Sequence, residues 1–302
     1  MILTVTPNPA IDLTYRVAAL EPGETHRIAA PAARAGGKGL NVARVVAQTG
    51  GAAFALTTAG GAPGLRLADD LEAAGLPSEL VPVSSPTRSS VAIVDEGSGV
   101  TTIFNEEGGP LSPGEWTALR EAVQRLAVPA TAIVGSGSLP PGAPDAFYAE
   151  LVEAARRRGI PSVIDATGLP LLTAAEAGAD VLKPNRRELA DTIGIDDPVE
   201  GARALIAAGA RLVLVSLGAD GMLAVSATDV SSARLPQPLS GNATGAGDAA
   251  VAAVASALAS GIADPATLVR RATAWSAAAV LAPLAGELDP AYPEYEARLV
   301  LS

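Results

Sequence analysis

A regular alternation of strand-like and helix-like segments over residues 113–216 constrains the fold of this chain more than any other feature. Short runs of apolar and β-branched residues alternate there with longer amphipathic stretches. The pattern predicts helices at 113–126, 144–158, 169–177 and 199–208, and strands at 131–135, 162–165, 181–183 and 212–216. Strands that alternate with amphipathic helices form a parallel sheet with helices on both faces. The chain is therefore predicted to be a doubly wound α/β/α sandwich.

Four further strand-like segments stand apart from this alternation, at 12–17, 26–29, 89–95 and 100–105. Turn-forming residues separate the members of each pair. The spacing predicts a small β unit outside the main sheet. Two of its strands come early in the sequence, and the other two follow later in the chain. Segments 221–226 and 230–235 instead predict an antiparallel extension of the main sheet.

Composition and charge narrow the class of protein. The 302 residues are 49% hydrophobic, which is enough for a sizeable core, and the formal net charge is −11. Nucleic acids and anionic membranes bind basic surfaces, so this charge argues against both as partners. The chain has no cysteine and one histidine. Disulfides, thiolate metal sites, a cysteine nucleophile and a multi-histidine metal site are therefore excluded.

The N-terminal residues do not resemble a targeting segment. They contain no basic stretch followed by a long apolar run, and a proline occurs at position 7. No apolar run approaches the length of about 20 residues that spans a bilayer. We therefore expect a cytoplasmic protein.

A glycine-containing turn at 242–250 is followed by an apolar helix-like segment at 251–258. Such a helix start is an anion site, and Gly245 and Gly247 allow the backbone to approach a ligand closely. Asp248 lies just inside this start. Its carboxylate would repel the pyrophosphate of a dinucleotide, but it could accept a proton from a hydroxyl that attacks a phosphoryl group. Alternatively, Asp248 only stabilises the helix dipole, by about 0.3–1 kcal/mol.

The basic residues of the chain are nineteen arginines and only two lysines, Lys38 and Lys183. A lysine supplies a compact point charge that a planar guanidinium cannot imitate. Both lysines lie in motif-like stretches, GGKGLN at 36–41 and KPNRRE at 183–188. Chance placement under a compositional bias toward arginine is the alternative explanation.

The turn Gly245-Ala246-Gly247-Asp248 resembles the GAGD signature of the ribokinase-like carbohydrate kinases, the phosphofructokinase-B group. Six further stretches are similar to elements of that family, in the same order along the chain: NPAID (8–12), GGKGLN (36–41), TR (87–88), GSGSLPPG (135–142), LKPNRREL (182–189) and SLGADG (216–221). The resemblance implies ATP as the phosphoryl donor and Mg²⁺ as the metal. It also implies a single domain over 1–302 with a small β lid at about 10–34 and 87–107, and a homodimer formed through that lid.

The resemblance further implies roles for individual residues. Those implied to bind the sugar are Asp12, Gly37, Asn41, Arg88 and Ser138. Those implied to bind the nucleotide are Lys183, Asn185, Ser216, Gly218, Gly221 and Gly245. Asp248 would be the catalytic base, and the N–H groups of Gly245, Ala246 and Gly247 would stabilise charge on the transferring group. Many members carry a serine after the aspartate, where this chain has Ala249.

Asn185 and Glu188 are the predicted magnesium residues. They lie about one helical turn apart, so both side chains could reach one hydrated Mg²⁺, directly or through water. An asparagine followed three residues later by a glutamate is also a capping box, so a helix N-cap explains the pair equally well.

The Gly-Gly-Lys-Gly and Lys-Pro-Asn-Arg-Arg-Glu-Leu strings are most similar to the 1-phosphofructokinase and tagatose-6-phosphate kinase branch. A sugar phosphate brings about two negative charges to a protein whose net charge already repels anions, so cations must be supplied locally. We therefore predict that Lys38 and Arg88 hold the phosphate of fructose 1-phosphate. A 6-phosphofructokinase, a tagatose-6-phosphate kinase and a non-catalytic sugar-phosphate sensor are the alternatives.

Overall fold

The computed structural model describes residues 1–237, 239 and 241–302, so Pro238 and Ser240, which precede the glycine turn, lie outside the described residues. The strands are β1 Ile2–Thr6, β2 Ala10–Val17, β3 Ala32–Gly36, β4 Ala53–Ala59, β5 Ser78–Pro82, β6 Arg88–Asp95, β7 Thr101–Asn105, β8 Ala132–Ser136, β9 Ser162–Asp165, β10 Val181–Leu182, β11 Leu212–Ser216, β12 Met222–Val225, β13 Val230–Arg234 and β14 Val300–Leu301. The helices are α1 Lys38–Gln48, α2 Gly61–Ala73, α3 Pro113–Leu126, α4 Phe147–Arg158, α5 Leu169–Glu176, α6 Arg186–Ile193, α7 Pro198–Ala208, α8 Ala246–Ala259, α9 Pro265–Val280 and α10 Tyr292–Arg298.

The main sheet has the strand order β14-β13-β12-β11-β10-β9-β8-β1-β4-β5. From β11 to β5 all neighbours are parallel, and β12, β13 and β14 extend the sheet in antiparallel pairs. The chain builds outward from β1 on one side through β4 and β5, and then on the other side from β8 onward. Ligands bind outside the carboxyl ends of the strands at such a switch point. The topology therefore places a site beside the end of β1.

Helices cover both faces of the main sheet, which confirms the predicted α/β/α sandwich. One apolar cluster joins α1, α2, α8 and α9 to the face that carries Ile2, and the other joins α3 to α7 to the face that carries Leu3 and Val5. Consecutive residues of β1 thus point to opposite clusters, as the pleat of a strand requires. Helix α8 is buried along most of its length, and its alanines and valines allow close packing against its neighbours.

A separate small sheet, with the order β3-β2-β6-β7, contains the strands that the sequence set apart. Strands β2 and β6 are parallel, and the two outer pairs are antiparallel. The strand predicted at 26–29 was wrong, because the structure places β3 at Ala32–Gly36 instead. The alanine-rich β3 has little intrinsic strand preference, and its pairing with β2 overrides that preference.

Besides β3, four elements had no counterpart in the sequence prediction: β5, α6, α10 and β14. Strand β5 is a short edge strand beside β4, and α10 begins beyond the last apolar segment that the periodicity identified. Helix α6 begins at the asparagine-glutamate pair that had been assigned to magnesium. No helix within the described residues is long and apolar enough to cross a bilayer.

Candidate active site

A cleft of about 1420 Å³ lies at the carboxyl ends of the parallel strands, with the small sheet along one side. It is lined by every residue that was predicted to bind a ligand or to act in catalysis: Asp12, Gly37, Lys38, Asn41, Arg88, Ser138, Lys183, Asn185, Glu188, Ser216, Gly218, Gly221, Gly245, Ala246, Gly247 and Asp248. Residues from distant parts of the sequence therefore meet in one place. Their individual roles stay predictions.

The glycine turn forms the start of α8. Gly245 precedes the helix with φ of 87°, a left-handed conformation that favours glycine. A Cβ at Gly245 would lie 2.9 Å from the Cα of Ala285, and one at Gly247 would lie 3.3 Å from Lys183 Nζ. The segment around Ala285 thus packs closely against Gly245, and the ammonium group of Lys183 lies beside Gly247. Both features suit a backbone that must approach an anion closely.

Asp248 is the buried acid of the cleft. Its Oδ2 accepts a hydrogen bond of 2.8 Å from Asn41 Nδ2, which orients the carboxyl group. Burial raises the pKa of Asp248 to about 7, an effect that the charge of Lys38 opposes and the charge of Asp165 reinforces. A carboxylate with a pKa near neutrality is suited to general base catalysis at cellular pH.

Asp165, at the end of β9, is the residue of this site that the sequence analysis missed. It is 1% exposed and lies between the two lysines of the chain: Lys38 Nζ is 3.4 Å from its Oδ1, and Lys183 Nζ is 3.7 Å from its Oδ2. The available signal was an acid at the carboxyl end of a buried strand, where ligand sites of parallel sheets form. Asp165 therefore links the two motif lysines into one cluster.

The charges of this cluster stabilise one another. Burial alone would raise the pKa of Asp165, but the two ammonium groups hold it below its ordinary value. The charge of Asp165 in turn raises the pKa of Lys38. Both groups are therefore ionised at neutral pH. The two lysines line the cleft, but the side chain of Lys38 is 39% exposed and that of Lys183 only 4%.

The side of the cleft next to the small sheet carries Asp12 and Arg88. Burial raises the pKa of Asp12 to about 6, against the charges of nearby arginines, of which Arg88 has the largest effect. The carboxyl group of Asp12 lies directly over Gly36, where any side chain would overlap it. The guanidinium of Arg88 donates to the backbone carbonyls of Asn8 and Glu106. These contacts hold Arg88 at the rim of the cleft.

Asn185 and Glu188 form the capping box of α6. Asn185 Oδ1 accepts from the Glu188 N–H, and Glu188 Oε2 accepts from the Asn185 N–H, both at 2.8 Å. The alternative helix-cap interpretation is therefore realised. The remaining oxygen, Glu188 Oε1, lies in the cleft 3.9 Å from Lys38 Nζ. A carboxylate oxygen directed into a cleft fits hydrated Mg²⁺, which takes few protein ligands, and the second lone pair of Asn185 Oδ1 can accept from one of its waters.

The predicted nucleotide residues border the same end of the cleft. Ser216 forms an isolated parallel bridge with Asn185, which joins the ends of β11 and β10. A short 3₁₀ turn at Gly218–Asp220 follows, and Gly221 has φ of 89° where a Cβ would overlap the carbonyl of Ala233. The turn is thus packed against β13 and leaves its other side open to the cleft.

Comparison with known proteins gives one family and several related structures. The model of the pfkB family of carbohydrate kinases matches residues 5–291. Phosphofructokinase-2 from Escherichia coli, in complex with fructose-6-phosphate, is 32% identical, with 98% of both chains covered and a TM-score of 0.89. The tetrameric inhibited form of that enzyme is 31% identical over the same shares, also with a TM-score of 0.89.

Two more distant structures share the fold. A possible 1-phosphofructokinase from Thermotoga maritima is 24% identical, with 100% of this chain and 99% of that chain covered and a TM-score of 0.91. Ribokinase from Arabidopsis thaliana, complexed with ribose and ATP, is 21% identical, with 97% and 98% covered and a TM-score of 0.76.

Proposed function

The chain belongs to the pfkB family of carbohydrate kinases, and from this premise we propose that it transfers the γ-phosphoryl group of ATP to fructose 1-phosphate, giving fructose 1,6-bisphosphate. The observation that carries this proposal is the position of Asp248. It is a buried carboxyl group with a pKa of about 7, at the start of a helix and beside Asn41. A base, an anion site and two cations lie together in one cleft.

In the proposed mechanism the hydroxyl oxygen of the sugar attacks the γ-phosphorus while its proton passes to Asp248. The bond between the γ-phosphorus and the bridging oxygen breaks, and ADP leaves with the electron pair. The N–H groups of Gly245 and Gly247, at the start of α8, stabilise the charge that develops on the transferring group. The N–H of Ala246 donates to the carbonyl of Ala243 at 3.1 Å, so it must give up that bond before it can take part. Glu188 Oε1, with Asn185 through a water, would hold Mg²⁺, which would supply positive charge to neutralise the phosphates.

Fructose 6-phosphate is the second candidate acceptor, because phosphofructokinase-2 is 32% identical over nearly the whole chain. A coupled ADP-release assay with fructose 1-phosphate, fructose 6-phosphate, tagatose 6-phosphate and free fructose separates the possibilities. We expect the highest kcat/KM with fructose 1-phosphate. A higher value with fructose 6-phosphate would reassign the substrate, and no ADP release with any sugar would support the sensor alternative.

The activity should depend on pH through Asp248. Because its pKa is raised to about 7, the carboxyl group carries a proton below that pH and cannot accept another. We expect kcat/KM for the sugar to fall about tenfold per pH unit below pH 7 and to level off above it. A profile that stays flat from pH 5 to 8 would contradict this assignment.

Lys38 is proposed to contact the phosphate of the substrate. Its side chain is 39% exposed, so it can turn toward an anion while Lys183 continues to balance Asp165. Loss of a charge-assisted bond costs about 1.5–3 kcal/mol, or about 10–150-fold in affinity. Lys38→Met should therefore raise KM for the sugar phosphate 10–150-fold and leave KM for ATP nearly unchanged.

The control for this variant is Arg186→Met, which removes a cation from the same cleft beside the predicted nucleotide residues. It should change KM for ATP rather than KM for the sugar phosphate. If Lys38→Met instead weakens ATP, the lysine serves the nucleotide.

We also propose that the small sheet is the lid of a single domain spanning 1–302 and that two copies associate through it. Val100, Ile103 and Phe104 expose apolar side chains on or next to its outer strand β7, and exposed apolar edges attract partners. We expect a dimer in sedimentation at micromolar concentration. Phe104→Glu should shift the protein toward monomer, and a monomeric wild type would remove the proposal.

A further inference from the structure

Asn8, just beyond the end of β1, connects three parts of the cleft. Its Nδ2 donates one hydrogen bond of 3.0 Å to the carbonyl of Glu107 and one of 3.2 Å to Ser138 Oγ. A backbone carbonyl can only accept, so the nitrogen of the amide must face Glu107 and therefore also Ser138. The direction of the bond between Asn8 and Ser138 follows: the amide donates and the hydroxyl accepts.

The proton of the Ser138 hydroxyl is consequently directed elsewhere. Ser138 is exposed to the cleft, and the hydrogen bonds among the described residues give its Oγ no acceptor. The bond from Asn8 occupies one of the two lone pairs of Ser138 Oγ and leaves its O–H available, and an ionised phosphate oxygen, which can only accept, binds to that O–H. Ser138 is thus presented to a substrate as a hydrogen-bond donor.

The loop that carries Ser138 is held in place independently of Asn8. Gly137 accepts a hydrogen bond of 2.8 Å from the hydroxyl of Tyr148, and its N–H donates to the carbonyl of Asp165 at 3.0 Å. Tyr148 is fully buried beneath the loop. Asn8 therefore sets the direction of a proton, while Tyr148 and Asp165 set the position of the loop.

Asn8 also binds a cation, Arg88. Its backbone carbonyl accepts from Arg88 Nε at 3.3 Å and from Arg88 Nη2 at 3.2 Å. The side chain of Asn8 therefore binds the hydroxyl of Ser138, and its backbone carbonyl binds the guanidinium of Arg88. Two donor groups held by the same residue can bind one ligand that has several acceptor oxygen atoms. Hydrogen bonds to an anionic acceptor are about twice as strong as hydrogen bonds between neutral groups.

We propose that Asn8 favours a phosphorylated over a free sugar, by keeping the hydroxyl of Ser138 as a donor toward a phosphate oxygen beside Arg88. This inference rests on the proposed function. It concerns the choice between an anionic and a neutral acceptor sugar, and Asn8 acts as a positioning residue that need not touch the substrate.

The test is the substitution Asn8→Asp, which keeps the size of the side chain but turns the donor into an acceptor. The carboxylate can no longer donate to the carbonyl of Glu107, which Asn8 does at 3.0 Å. It accepts the proton of Ser138 instead, so that the lone pairs of Ser138 face the substrate. We expect KM for the sugar phosphate to rise about 10–150-fold, the loss of a charge-assisted bond, with little change in KM for ATP or free fructose. Asn8→Ala removes the bond but leaves the hydroxyl free to rotate, so its effect should be only a few-fold.

Two controls separate the effect of reversing the hydrogen bond between residue 8 and Ser138 from the effect of the added negative charge. Asn105→Asp introduces the same charge in the same cleft, but Asn105 already accepts, from Ser90 at 2.7 Å, so no bond is reversed. In a Ser138→Ala background, Asn8→Asp should lose most of its effect. Equal effects of the two aspartates, or an undiminished effect of Asn8→Asp without the Ser138 hydroxyl, would overturn the proposal.

The same assays distinguish a failure of the proposed function from a failure of the proposed role of Asn8. If the wild type prefers free fructose to its phosphates, the proposed function fails on the wild-type panel alone. If the wild type prefers a sugar phosphate and this preference is unchanged in Asn8→Asp and Asn8→Ala, the role of Asn8 fails while the proposed function stands. Circular dichroism of each variant shows whether it is folded, and Asn8→Ala supplies the comparison if Asn8→Asp is not.

Discussion

Asp248→Asn is expected to lower kcat by about 10²–10⁴-fold while KM for both substrates stays within a few-fold of the wild-type value. The amide has the size of the carboxyl group and can still accept the bond of Asn41 that the wild type shows at 2.8 Å. It cannot take the proton of the attacking hydroxyl. Steady-state kinetics with both substrates varied measure the effect.

The variant should also lose the acid limb of the pH profile, since the group that titrates near pH 7 is gone. Asp191→Asn is the matched control, because Asp191 is an exposed acid that pairs with exposed Arg187 at 3.6 Å. It should leave kcat and the profile unchanged. A near-normal kcat in Asp248→Asn would remove the base from the proposed mechanism.

Asp165→Ala is expected to reduce the free energy of unfolding by about 3–5 kcal/mol, the usual cost of removing one partner from a buried ion pair. The substitution leaves buried Lys183 without the carboxylate that lies 3.7 Å from it. Urea unfolding measures the change. The exposed pair of Arg187 and Asp191 provides the contrast, since Asp191→Ala should cost no more than about 1 kcal/mol. Equal stability of both variants would show that Asp165 does not support the cluster.

Asp165→Asn tests the electrostatic part of this role. The charge of Asp165 helps to raise the pKa of Asp248, so its removal should shift the acid limb of the rate profile to lower pH. A loss of packing alone would lower the rate without moving the limb. The direction of the shift therefore distinguishes an electrostatic contribution from a structural one.

Elements of the fold could be predicted from the sequence where the pattern of apolar residues matches the burial that the structure shows. Strand β11 was predicted with the bounds found, Leu212–Ser216, because all of its residues are apolar until the last and it is buried on both faces. Strand β3 was missed, since Ala32–Gly36 forms a strand only by pairing with β2. A tertiary contact of that kind leaves no periodic signal.

The residues of the candidate site also divide into those that the sequence identified and those that it did not. The glycine turn and the two lysines stand out in the sequence, whereas Asp165 looks like any acid at a strand end and acquires meaning only from the lysines that meet it. The pair Asn185 and Glu188 shows a further limit. One spacing is compatible with both a helix cap and a metal site. The structure shows that the cap forms and leaves Glu188 Oε1 facing the cleft.

The small sheet is assembled from two separated parts of the chain, and this has a consequence for the order of folding. Its parallel pair joins Ala10 of β2 to Arg88 of β6, and the residues between them contribute α1, β4, α2 and β5 to the main sandwich. Closing so long a loop is costly before the intervening elements are folded. We therefore expect the elements between β3 and β6 to fold first and to bring the two parts together. During synthesis β2 therefore has no β6 to pair with until residue 95 has emerged, although the hairpin of β2 and β3 is complete by residue 36.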